Sequence, residues 1–534
     1  MYVTFKDTKR YYKVILRKLM MKKIAMLLLL LIGFTATAQK MQVTYKFSEK
    51  YADRYKYSNL LTIDNDGANG SVLVRSYYTG LILKPKGYYI EHYNKNLDLV
   101  SEYNYKLKDK DFVNGFINNG QLYLIFLEFN AAKESYDYIV HQSPLDNFAF
   151  TQKTILSVPS KQVDNPLDKN YYNRNFASGF TTSVLFNKRK DAFVISAHFK
   201  KAKDNQHFIY VFDNNLDLVI THDFSAEVET KNYAFESVEI TKDKKEVFLV
   251  AKAYFKKRRF SALERKFQYE LLKVSEEERV MKTFDEPGKF LEALKPILTD
   301  EKLVCVGFYA TRKDNRYNGL SYFKLDEGSL DIKDKKFIPF SAQFMADKFG
   351  KEDDNKEIKN LIFKNAEIAS DGSILFNAEE YFVTSGYQSN PGGGSRVKIS
   401  RYHYNDMVGA KLSDDGDLIW VRNINKSEVT QGDGAYASYS TFTKGDNTYF
   451  FISTAAENPQ LINNERLVFR QGLSRNRNIF LIKLDAKGFM TYDKIIDSKT
   501  ARLPLMISKP LTNKNNILFY AKRGTKKQMV EVAF

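Results

Sequence analysis

Asn96-Leu97-Asp98-Leu99-Val100 recurs unchanged as Asn215-Leu216-Asp217-Leu218-Val219, and each copy follows an aromatic residue and an Asn or Asp (Tyr93-Asn94, Phe212-Asp213). A repeat inside one chain marks an architecture built from copies of a small unit. Working outward, related turns opened by Pro, Asp or Ser stand at 144–146, 275–279, 326–331, 413–417 and 485–488. In Leu484-Asp485-Ala486-Lys487-Gly488 and Leu412-Ser413-Asp414-Asp415-Gly416, the Asp or Ser opens a type I turn and Gly takes the left-handed position. Where Gly is missing, Asn96 and Asn215 are the residues expected at positive φ, because Asn tolerates it best.

A second, shorter kind of turn alternates with the first, at 64–70, 118–120, 188–191, 242–245, 299–301, 370–372, 444–446 and 513–516. Between the turns run apolar stretches of 5 to 8 residues drawn from 35 Tyr, 41 Phe and many aliphatics, with only 11 Pro in 534 residues. That is the grammar of strands. The sequence therefore predicts an all-β chain, a β-propeller of four-stranded antiparallel blades. Seven units are complete, at 58–106, 113–156, 176–224, 233–284, 290–340, 360–424 and 437–496, and an eighth, 503–534, ends after three strands. The alternating segment 41–47 is expected to supply its outer strand and close the ring. Eight blades follow from this reading, or seven if one unit is misread. Segment 341–359, with Phe344, Met345, Phe349 and Ile358 at helical spacing, predicts a helical insertion.

Residues 22–38 carry the pattern of a secretory signal: Lys22 and Lys23, an apolar run over 24–34, then Ala36-Thr37-Ala38 before Gln39. Cleavage near Ala38-Gln39 is expected, giving a periplasmic or secreted propeller domain over 39–534, with 1–20 read as a start assigned too early. The apolar run is shorter than the roughly 20 residues a membrane-spanning helix needs, so no transmembrane segment is expected after signal removal. Cys305 is the only Cys, and its setting Leu303-Val304-Cys305-Val306-Gly307-Phe308 predicts a buried thiol in an apolar strand.

The second half resembles a family of exported β-propeller-like proteins of unknown function from Bacteroidota. The likeness is carried by Asn377-Ala378-Glu379-Glu380-Tyr381-Phe382-Val383, by Tyr402-His403-Tyr404-Asn405-Asp406 leading to Lys411-Leu412 and Ile419-Trp420, and by Ile517-Leu518-Phe519-Tyr520-Ala521-Lys522-Arg523-Gly524. The resemblance implies export and points to Glu380, Tyr402, Asn405 and Asp406; it implies no activity.

Chemical motifs are sparse. Of six His, three (His198, His207, His222) share one unit, but no HExxH or Cys/His spacing accompanies them, so no metal is expected. The run 64–70 lacks the Gly and Glu positions of a calcium loop and reads as a turn. Without a GxSxG, P-loop or GxGxxG, no cofactor is expected. Glu379, Glu380 and Asp406 sit at strand ends beside the loop 384–401 and are the acids that a glycosidase pair would use; no catalytic residue is assigned.

Charge is more informative. The formal net charge is +18, and eight Lys/Arg with one Asp lie before Gln39, which leaves about +11. In a propeller all loops joining second to third strands emerge on one face. Those loops hold about 26 Lys/Arg against about 6 Asp/Glu. Lys256, Lys257, Arg258, Arg259, Arg265, Lys266, Arg312, Lys313, Arg316, Arg396, Arg401, Arg466, Arg470, Arg475, Arg477, Lys522 and Arg523 would converge there, beside Tyr381, Tyr402 and Tyr404, on a face suited to anions and sugars. The expected function is a non-enzymatic binding or scaffold protein of the cell envelope whose partner is an acidic glycan or envelope polymer rather than nucleic acid. The alternative is a polysaccharide-active hydrolase or lyase on the same scaffold.

Overall fold

Short strands that are apolar along their whole length need cover on both faces. Leu303–Ala310 is buried at every residue, whereas Ile332–Pro339, at the outer edge of the same sheet, alternates between half-buried and exposed. In the structure, a computed structural model, the described residues are 41–79, 84–107, 110–160, 180–201, 204–256, 265–311, 316–350, 358–389, 396–432, 434–462, 465–472 and 478–534. The predicted signal segment lies outside them. Thr44–Phe534 form one compact unit; of the second unit, Met1–Val43, only the last three residues are described.

The described residues build eight sheets that follow one another along the chain, antiparallel except for one pair, Asn425 to Ser427 beside Val468 to Arg470. The first sheet joins Tyr57–Asn65, Ser71–Thr79, Lys84–Tyr93 and Leu99–Tyr105 in order, and six more start at Asp111, Phe180, Lys231, Phe290, Leu361 and Tyr439. In the last sheet Leu511–Thr512, Asn516–Arg523 and Lys526–Ala533 are followed at the outer edge by Thr44–Phe47, which pairs antiparallel with Lys526–Ala533. Each sheet packs its apolar face on the next. Val74, Ile90 and Phe126 join the first to the second, Val250, Leu271 and Cys305 the fourth to the fifth, and Leu60, Leu73, Tyr520 and Met529 the first to the last. The fold is a β-propeller. No helix among the described residues is long and apolar enough to cross a membrane.

The last sheet meets the first through charge as well. Buried Arg75 donates to Asp53 (2.9 Å) and Glu91, Lys527 donates to Glu91 (2.7 Å), and Lys522 donates to Asp53. Asp53 directly follows Tyr51–Ala52, which also pairs with Lys526–Ala533, so docking of this segment completes the network.

The repeated motif corrects one expectation. Positive φ falls on Leu97 (70°) and Leu216 (69°), not on Asn96 and Asn215. The residue that opens the turn does the hydrogen bonding: Asn94 Oδ1 accepts from the N–H groups of Asn96 (2.8 Å) and Asp98 (3.0 Å), and Asp213 Oδ1 from those of Asn215 and Asp217 (2.9 Å each). A non-glycine residue in this conformation costs roughly 1–2 kcal/mol. Burying a leucine returns about 1.5–3 kcal/mol, and Leu97 and Leu216 are both buried. Leu216 packs among Phe116, Tyr123 and Phe212, where the third sheet meets the second. Phe148 and Leu330 repeat the device in the second and fifth sheets. In the sixth and seventh sheets the relation is inverted: Gly416 and Gly488 hold positive φ and the preceding sheet supplies the side chain, Tyr322 and Trp420 respectively. A Cβ on Gly488 would lie 2.6 Å from Trp420 Cγ.

The helical insertion is Ala342–Phe349, capped by Ser341 Oγ on the N–H of Phe344 (3.2 Å) and ended by left-handed Gly350, so it is shorter than 341–359. Phe344 and Met345 bury its inner face against the fifth and sixth sheets. A further short helix, Ser498–Ala501, was not expected from the sequence.

Replacing Leu216 with Gly relieves the left-handed strain but forfeits the burial. The expected result is a loss of about 1–3 kcal/mol in urea unfolding; a gain in stability would reverse the order assigned to the two terms.

Candidate functional site

Second strands end and third strands begin on the face predicted to be basic. Lys257, Arg258, Arg259, Arg312, Lys313, Arg475 and Arg477 lie outside the described residues. Lys256 is exposed and donates to the carbonyl of Val228, Arg316 is half-buried, and Arg401 is exposed. Arg265 is turned inward: it pairs with Glu292 (2.9 Å) and Asp285 (3.2 Å). Lys522 is likewise buried on Asp53. Arg466 donates to the carbonyl of Lys348 (3.0 Å).

The predicted cluster in the sixth sheet is brought together around lysines. A register shift between Glu379 and Tyr381 aims successive acids at different partners. Glu380 and Asp406 both accept from Lys348 Nζ on the inserted helix, at 3.2 and 2.6 Å. Burial opposes the Lys348 charge, but Asp406 and Glu380 outweigh it and raise its pKa. Glu379 accepts from Lys426 (3.1 Å), Lys364 (3.1 Å) and Ser438 Oγ (2.6 Å), and Lys426 also reaches Glu428 (3.0 Å). Tyr381 and Tyr404 stack obliquely at 5.2 Å, while Asn405 and Tyr402 are half-buried nearby. The helix is held over this group by Asp347, which takes a fork from Arg422 (2.6 and 3.0 Å). These acids are charge-compensated inside the fold.

The first strands of the sheets face the axis, and five of them carry a bulge at the same place, leaving Leu61, Val113, Glu236, Glu292 and Lys364 as the extra residues. Bulges re-aim side chains. Here they bring Glu236 and Glu292 to a cavity of about 410 Å³ formed by the fourth, fifth and sixth sheets, with Lys252, Phe267, Tyr269, Lys295, Tyr317, Ile362 and Tyr381 around it. Tyr269 Oη donates to Glu236 (3.0 Å), and Arg265 holds Glu292. Lys252 Nζ stands 4.0 Å over the Phe267 ring. Burial pushes the Glu236 and Glu292 carboxyls up and the Lys252 and Lys295 ammoniums down.

At the opposite end of the axis the hairpin turn of the third sheet reaches across. Lys190 pairs with Asp64 of the first sheet (3.2 Å), Arg189 donates to the Ile240 and Thr241 carbonyls of the fourth, and Lys188 donates to the Ala366 carbonyl of the sixth (3.2 Å). Just above it Glu239 is buried beside Lys295, with its pKa raised to about 7 by burial against the pull of Lys295, Lys188 and Arg189. Among the described residues the central opening is a funnel bridged at this floor, with the cavity above it.

His198 and His207 lie side by side with rings 5.3 Å apart, each already bonded, His198 Nε2 to Asn205 (2.6 Å) and His207 Nε2 to Ser196 (2.7 Å). Burial lowers the His207 pKa to about 3.

Sequence reading missed Glu236 and Glu292, although a signal was present: apolar alternation at Tyr233 and Phe235 resumes out of phase at Val238 and Ile240. No family model and no curated protein matches the sequence. Among solved structures the chain is similar to the propeller domain of the trilobed protease from Pyrococcus furiosus (11% identity, 84% of this chain and 98% of that one, TM-score 0.34). It is also similar to the polysaccharide lyase Uly1 (9%, 91% and 99%, 0.37) and to Sqt1 from Chaetomium thermophilum, solved with the N-terminus of ribosomal protein L10 (10%, 90% and 98%, 0.39).

Two stability measurements check this geometry. The native state holds the Glu239 proton between the ordinary glutamate pKa and about 7, so wild type loses stability as pH rises through that window. Glu239→Gln should remove that slope, a difference on the order of 3 kcal/mol above pH 7, read as unfolding midpoints against pH. Lys426→Met removes the cation that Glu379 and Glu428 share, leaving Glu379 with Lys364 alone, and should cost about 3–5 kcal/mol.

Proposed function

We propose that this chain is an exported binding propeller that holds an acidic glycan or related envelope polymer on its loop face and does not transform it. One observation carries the reading. At that end of the sheets the acids are largely consumed inside the fold, Glu379, Glu380 and Asp406 by lysines and Glu292 and Asp285 by Arg265. The cations that remain exposed come from several sheets: Lys200, Lys266, Lys398, Arg401, Arg470 and Arg523, against exposed Glu134, Glu229, Glu457 and Glu465. None of these six cations closes an ion pair among the described residues. A polyanion lying across such a face gains from several weak contacts at once and from counterion release, as any linear polyelectrolyte does.

The reading predicts salt-sensitive binding to a uronate-rich or sulfated polysaccharide. Changing Arg401, Arg470 and Arg523 together to Ser should lower affinity at low salt and flatten the dependence of log K on log salt by about one unit per lost contact. Polymer length is followed in the same samples. Binding that ignores the triple change would refute the basic face, and shortening of the polymer would replace a binding protein with a hydrolase or lyase.

A further inference from the structure

The funnel cavity has a composition that the exposed rim does not share. Its wall offers two ammoniums, Lys252 and Lys295, one carboxylate with hydrogen-bonding capacity to spare, and an apolar side. Lys252 closes no salt bridge among the described residues; it rests on the Phe267 ring and its charge is felt by Glu236 and Glu292. Glu292 is committed to Arg265, whereas Glu236 is engaged among the described residues through one oxygen only, by Tyr269. Phe267, Ile362, Phe363 and Tyr381 supply the apolar side, and Ile362 is 38% exposed there.

We propose that this cavity seats one carboxylated sugar ring, a uronic-acid residue, with its carboxylate on Lys252, its hydroxyls on Glu236 and its C–H face against Phe267 and Tyr381. The inference rests on the reading of the loop face as a polysaccharide surface and names the part of the ligand that enters the funnel. A half-buried ammonium that feels nearby carboxylates but closes no salt bridge with them is poorly compensated, and a ligand carboxylate supplies a direct partner where a charge-assisted hydrogen bond is strong. A carboxylate side chain accepts from hydroxyls, and vicinal sugar hydroxyls can donate to its free oxygen. Aromatic rings present flat apolar faces suited to the C–H side of a pyranose. A cavity of this volume is at the small end of the range for ligand pockets, which suits one or two rings rather than a long segment.

The experiment is calorimetric titration of the full chain with a trimer of glucuronic acid, a trimer of glucose and free glutamate. The acidic trimer should bind, and the glucose trimer should bind at least tenfold more weakly. Lys252→Met should weaken the acidic trimer at least tenfold. Glu236→Gln, an isosteric change at an accessible position, should weaken it severalfold with an unchanged unfolding midpoint. Equal binding of the neutral trimer, tighter binding of glutamate than of the uronate, or indifference to Glu236→Gln would each overturn the proposal. Polymer binding that depends on the rim but not on Lys252 or Glu236 would refute the seat and leave the rim reading intact. Trimer binding without polymer binding would refute the rim reading instead.

Discussion

Every sheet in this ring is too narrow to bury its own faces, so stability depends on how well each one is covered by its neighbours. The interlock is made where the third strand turns into the fourth. A buried apolar residue forced into a left-handed conformation, or a glycine that admits an aromatic ring from the preceding sheet, are two solutions to the same steric problem. They fill the same interface from opposite sides, with side chains as different as Leu216 and Trp420.

The second element is ionic. Arg75 with Asp53 and Glu91, and Lys426 with Glu379 and Glu428, are buried groups whose desolvation must be offset by each other. Such networks add little net stability compared with apolar packing of the same volume, yet they punish any arrangement that leaves one member alone. Their positions fit that role: one lies where the last sheet meets the first, the other beneath the inserted helix. Both are places where hydrophobic contact alone would tolerate a shift of register.

The period of the chain was legible because it is a local property: turn chemistry and strand length set unit boundaries, and 58–106 in the sequence became a sheet running from Tyr57 to Tyr105. The left-handed residue was misplaced because propensity favours Asn, while the deciding energy is the burial of Leu97 and Leu216 against another sheet. Glu380 and Asp406 were expected at strand ends beside a loop over 384–401, whereas they lie inside the long strands Ile374–Ser389 and Arg396–Leu412, and their partner Lys348 arrives on a helix whose docking no local pattern announces. Glu236 and Glu292 were visible only as a slip in alternation, which has meaning once five inner strands are known to slip at the same place.

The turn 188–190 ties the third sheet to the first, fourth and sixth, and it does so over the axis. A tunnel through a ring would let a long chain thread and slide. A recess bridged at one end does not offer that passage. For a linear partner of the kind proposed above, only a terminus or a side branch would reach the floor of such a recess.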